Sequence, residues 1–251
     1  MSSNVTGQHT PTALIVGASR GLGHAMAAEF LDRGWNVIGT VRDASVRTPL
    51  HDLADRAEGR VIIEHLDINE PDHLAPLHER LAERRLDLLF VNAGTTNSEQ
   101  IPIGKVATDD FVEVMITNAL SPMRVIEALE DLVSAPDLRV VLGHWGEMLL
   151  FWLDRVESLS RIAGLERSVS DYVRSNFHIT TSGMLNPALL RHALSVTSVD
   201  RLIFSTDYPF QRPTREEIDS FLNHFSTDAE REQFSSANAA SLYGIDFSAK
   251  P

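Results

Sequence analysis

The stretch Val16-Gly17-Ala18-Ser19-Arg20-Gly21-Leu22-Gly23 follows an apolar run and precedes a segment whose apolar residues have helical spacing. Gly17 permits a tight turn, Gly21 lets the backbone approach a diphosphate, and Gly23 allows a helix to pack closely on a strand. The N–H groups that open the helix would face the anion, although a turn without a ligand is the alternative. The candidate binding residues of this loop are Gly17, Ser19, Arg20, Gly21, Leu22 and Gly23.

Seven short apolar runs alternate with amphipathic stretches along the chain. Runs of this length, rich in β-branched residues and separated by helical segments, are typical of a parallel sheet covered on both faces. The sequence therefore predicts an α/β fold with one doubly wound, mostly parallel, Rossmann-like sheet of about seven strands. The predicted strands are Ala13–Val16, Asn36–Val41, Val61–His65, Asp87–Val91, Leu138–Leu142, Phe177–Thr181 and Arg201–Ser205.

Composition excludes several classes of function. The 35 acidic residues outnumber the 22 basic ones among 251 residues, and the formal charge of -13 repels nucleic acid and anionic lipid surfaces. The absence of cysteine excludes disulfides, thiol nucleophiles and thiolate metal sites. We therefore expect a cytoplasmic protein with a small-molecule substrate and no nucleic-acid or membrane partner, and self-association into a homo-oligomer stays open.

The end of the second predicted strand bears on the choice of dinucleotide. An acidic side chain there bonds a ribose 2'-hydroxyl, whereas a basic one pairs with a 2'-phosphate. This chain has Arg42 at that position and Arg20 in the glycine loop, which favours NADP(H) over NAD(H). The alternative is that Arg42 only solvates a strand end beside Asp43.

Three further landmarks follow the predicted elements in order: Asp67-Ile68 after the third strand, Asn92-Ala93-Gly94 after the fourth, and Asn118 in a helical segment. With the glycine loop, they make residues 12–142 similar to the short-chain dehydrogenase/reductase family. The resemblance implies that Asp67 and Ile68 contact adenine, and that the turn Asn92-Ala93-Gly94 holds the sheet and lines the cofactor. It also implies a place for Asn118 in a proton relay.

The catalytic set of that family is missing. Hydride transfer there uses a Tyr with a Lys four residues later, and a Ser that orients the substrate oxygen. The residues four positions after Tyr172, Tyr208 and Tyr243 are Asn, Arg and Phe, so the chain contains no Tyr-x-x-x-Lys. The usual proton-transfer machinery is absent, while cofactor binding is not thereby excluded.

The second half carries four other motifs in order, at residues 141–147, 177–183, 204–209 and 237–244: VLGHWGE, FHITTSG, FSTDYP and ANAASLYG. Together they make residues 139–245 similar to the last third of a barrel of the amidohydrolase superfamily, in the branch of γ-resorcylate (2,6-dihydroxybenzoate) decarboxylase. The resemblance implies that His144 is a catalytic histidine, that Glu147 orients it, and that Asp207 binds a divalent zinc or manganese ion. That family takes its other ligands from an acidic-x-His pair and a further His on strands that this chain lacks.

We therefore expect a Rossmann-like part at residues 1–142 and amidohydrolase-like βα units at residues 143–251, which resemble the end of a TIM barrel and continue the same sheet. Three functions stay open. One is an NADP(H)-binding oxidoreductase, impaired by the missing Ser-Tyr-Lys set. The others are a metal-dependent decarboxylase or hydrolase of phenolic carboxylic acids with an incomplete metal site, and a nucleotide-binding protein without catalysis.

Overall fold

The computed structural model describes residues 9–96, 101–133, 138–162, 164–208 and 210–245. The chain forms two compact units, residues 1–136 and 137–251, and each contains one parallel sheet. The α/β class that the sequence predicts is confirmed.

The sheet of the first unit has the strand order β3-β2-β1-β4, with all neighbours parallel. Alternate residues of β1 point to opposite faces. Ala13 and Ile15 pack with helices α1 and α2, whereas Leu14 and Val16 pack with α3 and α5. The strands are β1 (Thr12–Val16), β2 (Asn36–Val41), β3 (Val61–His65) and β4 (Leu88–Val91). The helices are α1 (Gly21–Asp32), α2 (Pro49–Arg56), α3 (Leu74–Leu81), α4 (Thr108–Met115) and α5 (Ser121–Leu129).

The sheet of the second unit has the order β5-β6-β7, again parallel. Its core is aromatic: Trp145, Phe221, Phe225 and Phe234 are buried together with Ile179. The strands are β5 (Val140–Leu142), β6 (Phe177–Thr180) and β7 (Leu202–Ile203). The helices are α6 (Leu153–Glu157), α7 (Leu159–Ile162), α8 (Val169–Asn176), α9 (Pro187–Val196), α10 (Arg215–Leu222), α11 (Asp228–Glu232) and α12 (Asn238–Tyr243).

The seven predicted strands are all present, but within the described ranges they form two sheets, of four and three strands, instead of one. The fifth strand, β5, has only three residues and pairs with β6. The pairing of so short a strand is decided by its tertiary neighbours, which the sequence pattern does not report. The boundary after residue 142 stays a prediction.

Across the described ranges, no helix has the length and apolar character needed to cross a membrane.

Candidate functional site

The glycine loop of the first unit has the geometry that only glycine allows at two of its positions. Gly17 has φ +86°, and a Cβ atom there would lie 2.8 Å from the backbone of Ala93. A Cβ atom on Gly23 would lie 2.1 Å from the carbonyl oxygen of Gly17. The loop therefore turns sharply out of β1 and lets α1 approach the sheet closely.

The first turn of α1 leaves its N–H groups without a side-chain cap. Arg20, at the N-cap, is extended (φ -161°, ψ 178°) and makes no capping hydrogen bond, and the turn contains no acidic residue. A Cβ atom on Gly21 would meet nothing within 4 Å, so the helix begins beside open space. Exposed N–H groups and the positive end of the helix dipole favour an anion here, and the residues present fit a diphosphate.

The turn after β4 holds this loop in place. The N–H groups of Asn92 and Ala93 both donate to the carbonyl oxygen of Val16, at 3.0 and 2.9 Å. The side-chain amide of Asn92 donates to the carbonyl oxygen of Gly17 at 3.0 Å. The structure thus brings the predicted residues Asn92 and Ala93 against the predicted loop, and the adjoining Gly94 lies beside Asn118.

Asn118 lies in a wide, π-helical turn, Ile116–Leu120, between α4 and α5. Its side chain forms two hydrogen bonds with the backbone of Thr95: Oδ1 accepts from the N–H at 2.9 Å, and Nδ2 donates to the carbonyl oxygen at 2.7 Å. Turns of this kind are frequent at functional sites. Here the turn presents an asparagine that fixes the segment following the turn Asn92-Ala93-Gly94.

Arg42 directly follows β2 and is exposed, like Arg20. The neighbouring carboxylate of Asp43 accepts hydrogen bonds from the N–H and hydroxyl groups of Ser45, at 2.8 and 2.6 Å, and these bonds lower the pKa of Asp43. Asp43 is therefore held by Ser45. Among the described residues, the Arg42 side chain has no hydrogen-bond partner, so its guanidinium is available to a ligand.

Asp67 and Ile68 follow β3, and Ile68 is buried whereas Asp67 is half-buried. Oδ1 of Asp67 accepts from the N–H of Asn69 at 3.0 Å, and the N–H of Asp67 donates to Nδ1 of His73 at 3.2 Å. These bonds give the predicted adenine-contacting pair a fixed local conformation.

Sequence reasoning missed two polar residues that order this region. Thr40 accepts a hydrogen bond from the N–H of Gly17. Asn69 donates to Thr117 at 2.8 Å and accepts from Ser121 at 2.9 Å, which ties the loop after β3 to the helical segment carrying Asn118. The sequence feature that could have marked Thr40 is its hydroxyl group, the only one in the second predicted strand. No sequence feature marked Asn69.

The second unit gathers its predicted residues at the carboxyl edge of its sheet. His144 follows β5 and Asp207 follows β7. Nδ1 of His144 lies 3.1 Å from Oε1 of Glu147, and Nε2 lies 3.6 Å from Oδ1 of Asp207. The structure therefore places the histidine between the two carboxylates, although the second distance exceeds that of a hydrogen bond.

Hydroxyl groups in the segments that follow β6 and β7 fix the backbone at His144. The N–H of His144 donates to Oγ of Ser182 at 2.9 Å, and the N–H of Ser182 donates to Oγ of Ser205 at 2.8 Å. His144, Ser182 and Asp207 have φ values of 49°, 43° and 60°, in the left-handed region that is unfavourable for residues other than glycine. Ser182 and Ser205 were not predicted from the sequence.

The same geometry does not fit a divalent metal ion. Glu147 and Asp207 face different ring nitrogens of His144, so the three side chains do not converge on one point. A stable zinc or manganese site needs about three or more protein ligands. No group of three His, Asp or Glu side chains in the described ranges is arranged to hold an ion.

A cleft of about 890 Å³ opens in the second unit beside Gly183. Phe210 and Arg212 line it together with the carboxylates of Glu216 and Glu217, whereas His144, Glu147 and Asp207 are not among its lining residues.

Comparison with known proteins relates the chain to two different groups. The model of the amidohydrolase family matches residues 20–245. The γ-resorcylate decarboxylase of Rhizobium sp. (strain MTP-10005) is 34% identical over 121 residues, which cover 44% of this chain and 36% of that protein. The chain thus spans about a third of the length of the curated relatives it matches first.

Two crystal structures from Burkholderia multivorans represent the second group. A protein assigned as a short-chain dehydrogenase/reductase, with bound NADP, is 59% identical over 54% of this chain and 58% of that chain, with a TM-score of 0.50. One assigned as a short-chain alcohol dehydrogenase is 40% identical over 75% of this chain and 89% of that chain, with a TM-score of 0.54. The chain therefore belongs to the amidohydrolase family, and it is a chimera in which a short-chain dehydrogenase/reductase part is joined to an amidohydrolase-like part.

Proposed function

We propose that the first unit binds NADP(H). The observation that carries this proposal is the uncapped start of α1, which begins beside open space, together with the exposed Arg42 that directly follows β2. The NADP that accompanies the similar reductase from Burkholderia multivorans supports the choice of dinucleotide. When bound, the dinucleotide supplies or accepts a hydride.

Each part of the site has a separate task in this proposal. The amides from Ser19 to Gly23 bind the diphosphate. Arg42 pairs with the 2'-phosphate, and Arg20 of the glycine loop supplies a second positive charge. Asp67 and Ile68 contact the adenine. The turn Asn92-Ala93-Gly94 holds the loop and lines the nicotinamide half.

We propose further that turnover is impaired. No Tyr-x-x-x-Lys is present to exchange a proton with a carbonyl oxygen. Asn118, the remaining member of the expected relay, has its carboxamide engaged by the backbone of Thr95. In this proposal the unit binds the dinucleotide and reduces carbonyl substrates only slowly. If the rate is zero, the unit is a nucleotide-binding protein without catalysis.

The test is a titration of the protein into NADPH, followed through the cofactor's fluorescence. Gly21→Asp places a carboxylate where the diphosphate would lie, and binding should be lost. Gly34→Asp is the matched control, because Gly34 also has positive φ (83°) and open space but lies after the other end of α1. Failure of the native protein to bind NADPH at millimolar concentration removes the proposal.

One observation favours a second candidate function, which belongs to the second unit. His144 lies between the carboxylates of Glu147 and Asp207 and could move a proton to or from a phenolic carboxylic acid. Incubation with 2,6-dihydroxybenzoate, with chromatography for resorcinol, tests it. His144→Asn should abolish turnover, whereas the exposed His192→Gln should leave it unchanged. A native protein that forms no product contradicts this function.

A further inference from the structure

Thr40 on β2 fixes the start of the glycine loop through two hydrogen bonds. Its Oγ1 accepts from the N–H of Gly17 at 2.9 Å, and its carbonyl oxygen accepts from the N–H of Ala18 at 3.0 Å. The residue is buried, with 1% of its surface exposed. None of the sequence motifs includes it.

These two bonds divide the loop into a structural part and a part that can bind an anion. The amides of Gly17 and Ala18 are both used by Thr40, so they are not available to a diphosphate. The amides from Gly21 to Gly23 have no partner within the helix, because the first turn of any helix leaves them free. The position of the amides from Gly21 to Gly23 therefore depends on the position of Gly17 and Ala18, which Thr40 fixes.

The backbone at Gly17 has little room to move. Gly17 has a positive φ, and its Cα lies so close to the backbone of Ala93 that an added Cβ would be 2.8 Å from it. Asn92 holds the carbonyl oxygen of Gly17 while Thr40 holds its N–H, so the peptide units on both sides of Gly17 are fixed.

Thr40 lies in β2 (Asn36–Val41), the strand that Arg42 directly follows. The residue that holds the loop and the residue proposed for the 2'-phosphate are therefore close neighbours along the chain.

We infer that Thr40 is a positioning residue of the dinucleotide site, which sets the diphosphate-binding amides in place through Gly17. This inference rests on the proposed binding of NADP(H). Thr40→Val keeps the shape of the side chain but leaves the half-buried N–H of Gly17 without its acceptor. Such a group is costly to bury, and the loop should shift to expose it.

The test compares dissociation constants for NADPH and NADH in four variants. Thr40→Val should weaken both dinucleotides about tenfold, and by the same factor, because both contain the diphosphate. Thr40→Ser should restore binding, since it retains the hydroxyl. Thr40→Ala is a second variant without a hydroxyl, in case valine prevents folding. Thr197→Val is the matched control, because Oγ1 of Thr197 is buried and has no hydrogen-bond partner among the described residues.

The outcomes separate the inference from the proposal beneath it. Equal affinity of Thr40→Val and the native protein, within about twofold, overturns the role of Thr40 alone. So does a serine variant as weak as the valine variant, since the hydroxyl would then not be the active group. A native protein that binds neither dinucleotide removes the proposed function, and the role of Thr40 with it.

Discussion

The side-chain amide of Asn92 donates a hydrogen bond of 3.0 Å to the carbonyl oxygen of Gly17, 75 residues earlier in the chain. This bond joins the turn after β4 to the loop after β1, at the carboxyl edge of the first sheet. The same amide lies 2.8 Å from where a Cβ atom of Gly23 would be, so it also contacts the start of α1.

Asn92→Ala should weaken NADPH binding about tenfold and lower the free energy of unfolding by about 1 kcal/mol, because the carbonyl oxygen of Gly17 loses its donor. Fluorescence titration and urea unfolding measure the two effects. Asn223→Ala, at the exposed end of α10, is the control. Unchanged affinity in Asn92→Ala would show that the loop keeps its shape without this bond.

Arg42→Ala should weaken NADPH about tenfold or more and leave NADH nearly unchanged, because only NADPH carries the 2'-phosphate. The measurement is the ratio of the two dissociation constants. Arg33→Ala is a matched control, since Arg33 is an exposed arginine at the far end of α1, paired with Glu29. A variant that loses both dinucleotides equally contradicts the assigned contact.

The second unit should not retain zinc or manganese. After incubation with either ion and dialysis, elemental analysis should find well below one equivalent, because His144 and Asp207 are two of the three or more ligands required. His144→Ala and Asp207→Asn should give the same low content as the native protein. A full equivalent that these substitutions remove would show that the side chains rearrange around an ion.

Stability should fall as the solution becomes acidic, because of His178. This side chain is 6% exposed, and burial, followed by the charges of Arg201 and Arg139, lowers the pKa of His178 from 6.5, with Asp200 opposing. The unfolded chain then takes up its proton at a higher pH than the folded one. The stability that neutral His178 contributes is complete above the pKa that His178 has in the unfolded chain. It is lost as the pH falls below that pKa.

Urea unfolding at about pH 7.5 and about pH 5.5 measures this dependence. His178→Gln should reduce the difference between the two pH values, and the exposed His192→Gln should not. An equal pH dependence in both variants would assign the effect to other groups.

The sequence predicted those features that depend on neighbouring residues. The glycine loop, the strand before it and the helix after it are encoded within residues 12–32, where each glycine has a local reason. The alternation of strands and helices was also visible, since apolar periodicity is a local property.

Features that depend on contacts between distant segments were not predicted. Thr40 and Ser182 act through hydrogen bonds to the segments that follow β1 and β5, and no pattern of spacing marks such residues. The strands were predicted but their grouping was not, since the described residues form sheets of four and three strands. The proximity of His144 and Asp207 followed from a family resemblance, whereas their failure to converge with Glu147 required coordinates.

The contact between Asn118 and Thr95 depends on the number of residues in the wide turn at Ile116–Leu120. Each residue advances an α-helix by about 100°, and a π-helical turn accommodates one residue more than the regular ladder needs. Deleting a single residue there would let α4 and α5 merge into one regular helix and swing Asn118 out of register with the backbone it clasps. An insertion or deletion, rather than a change of side chain, is thus the mutation to which this part of the protein is most vulnerable.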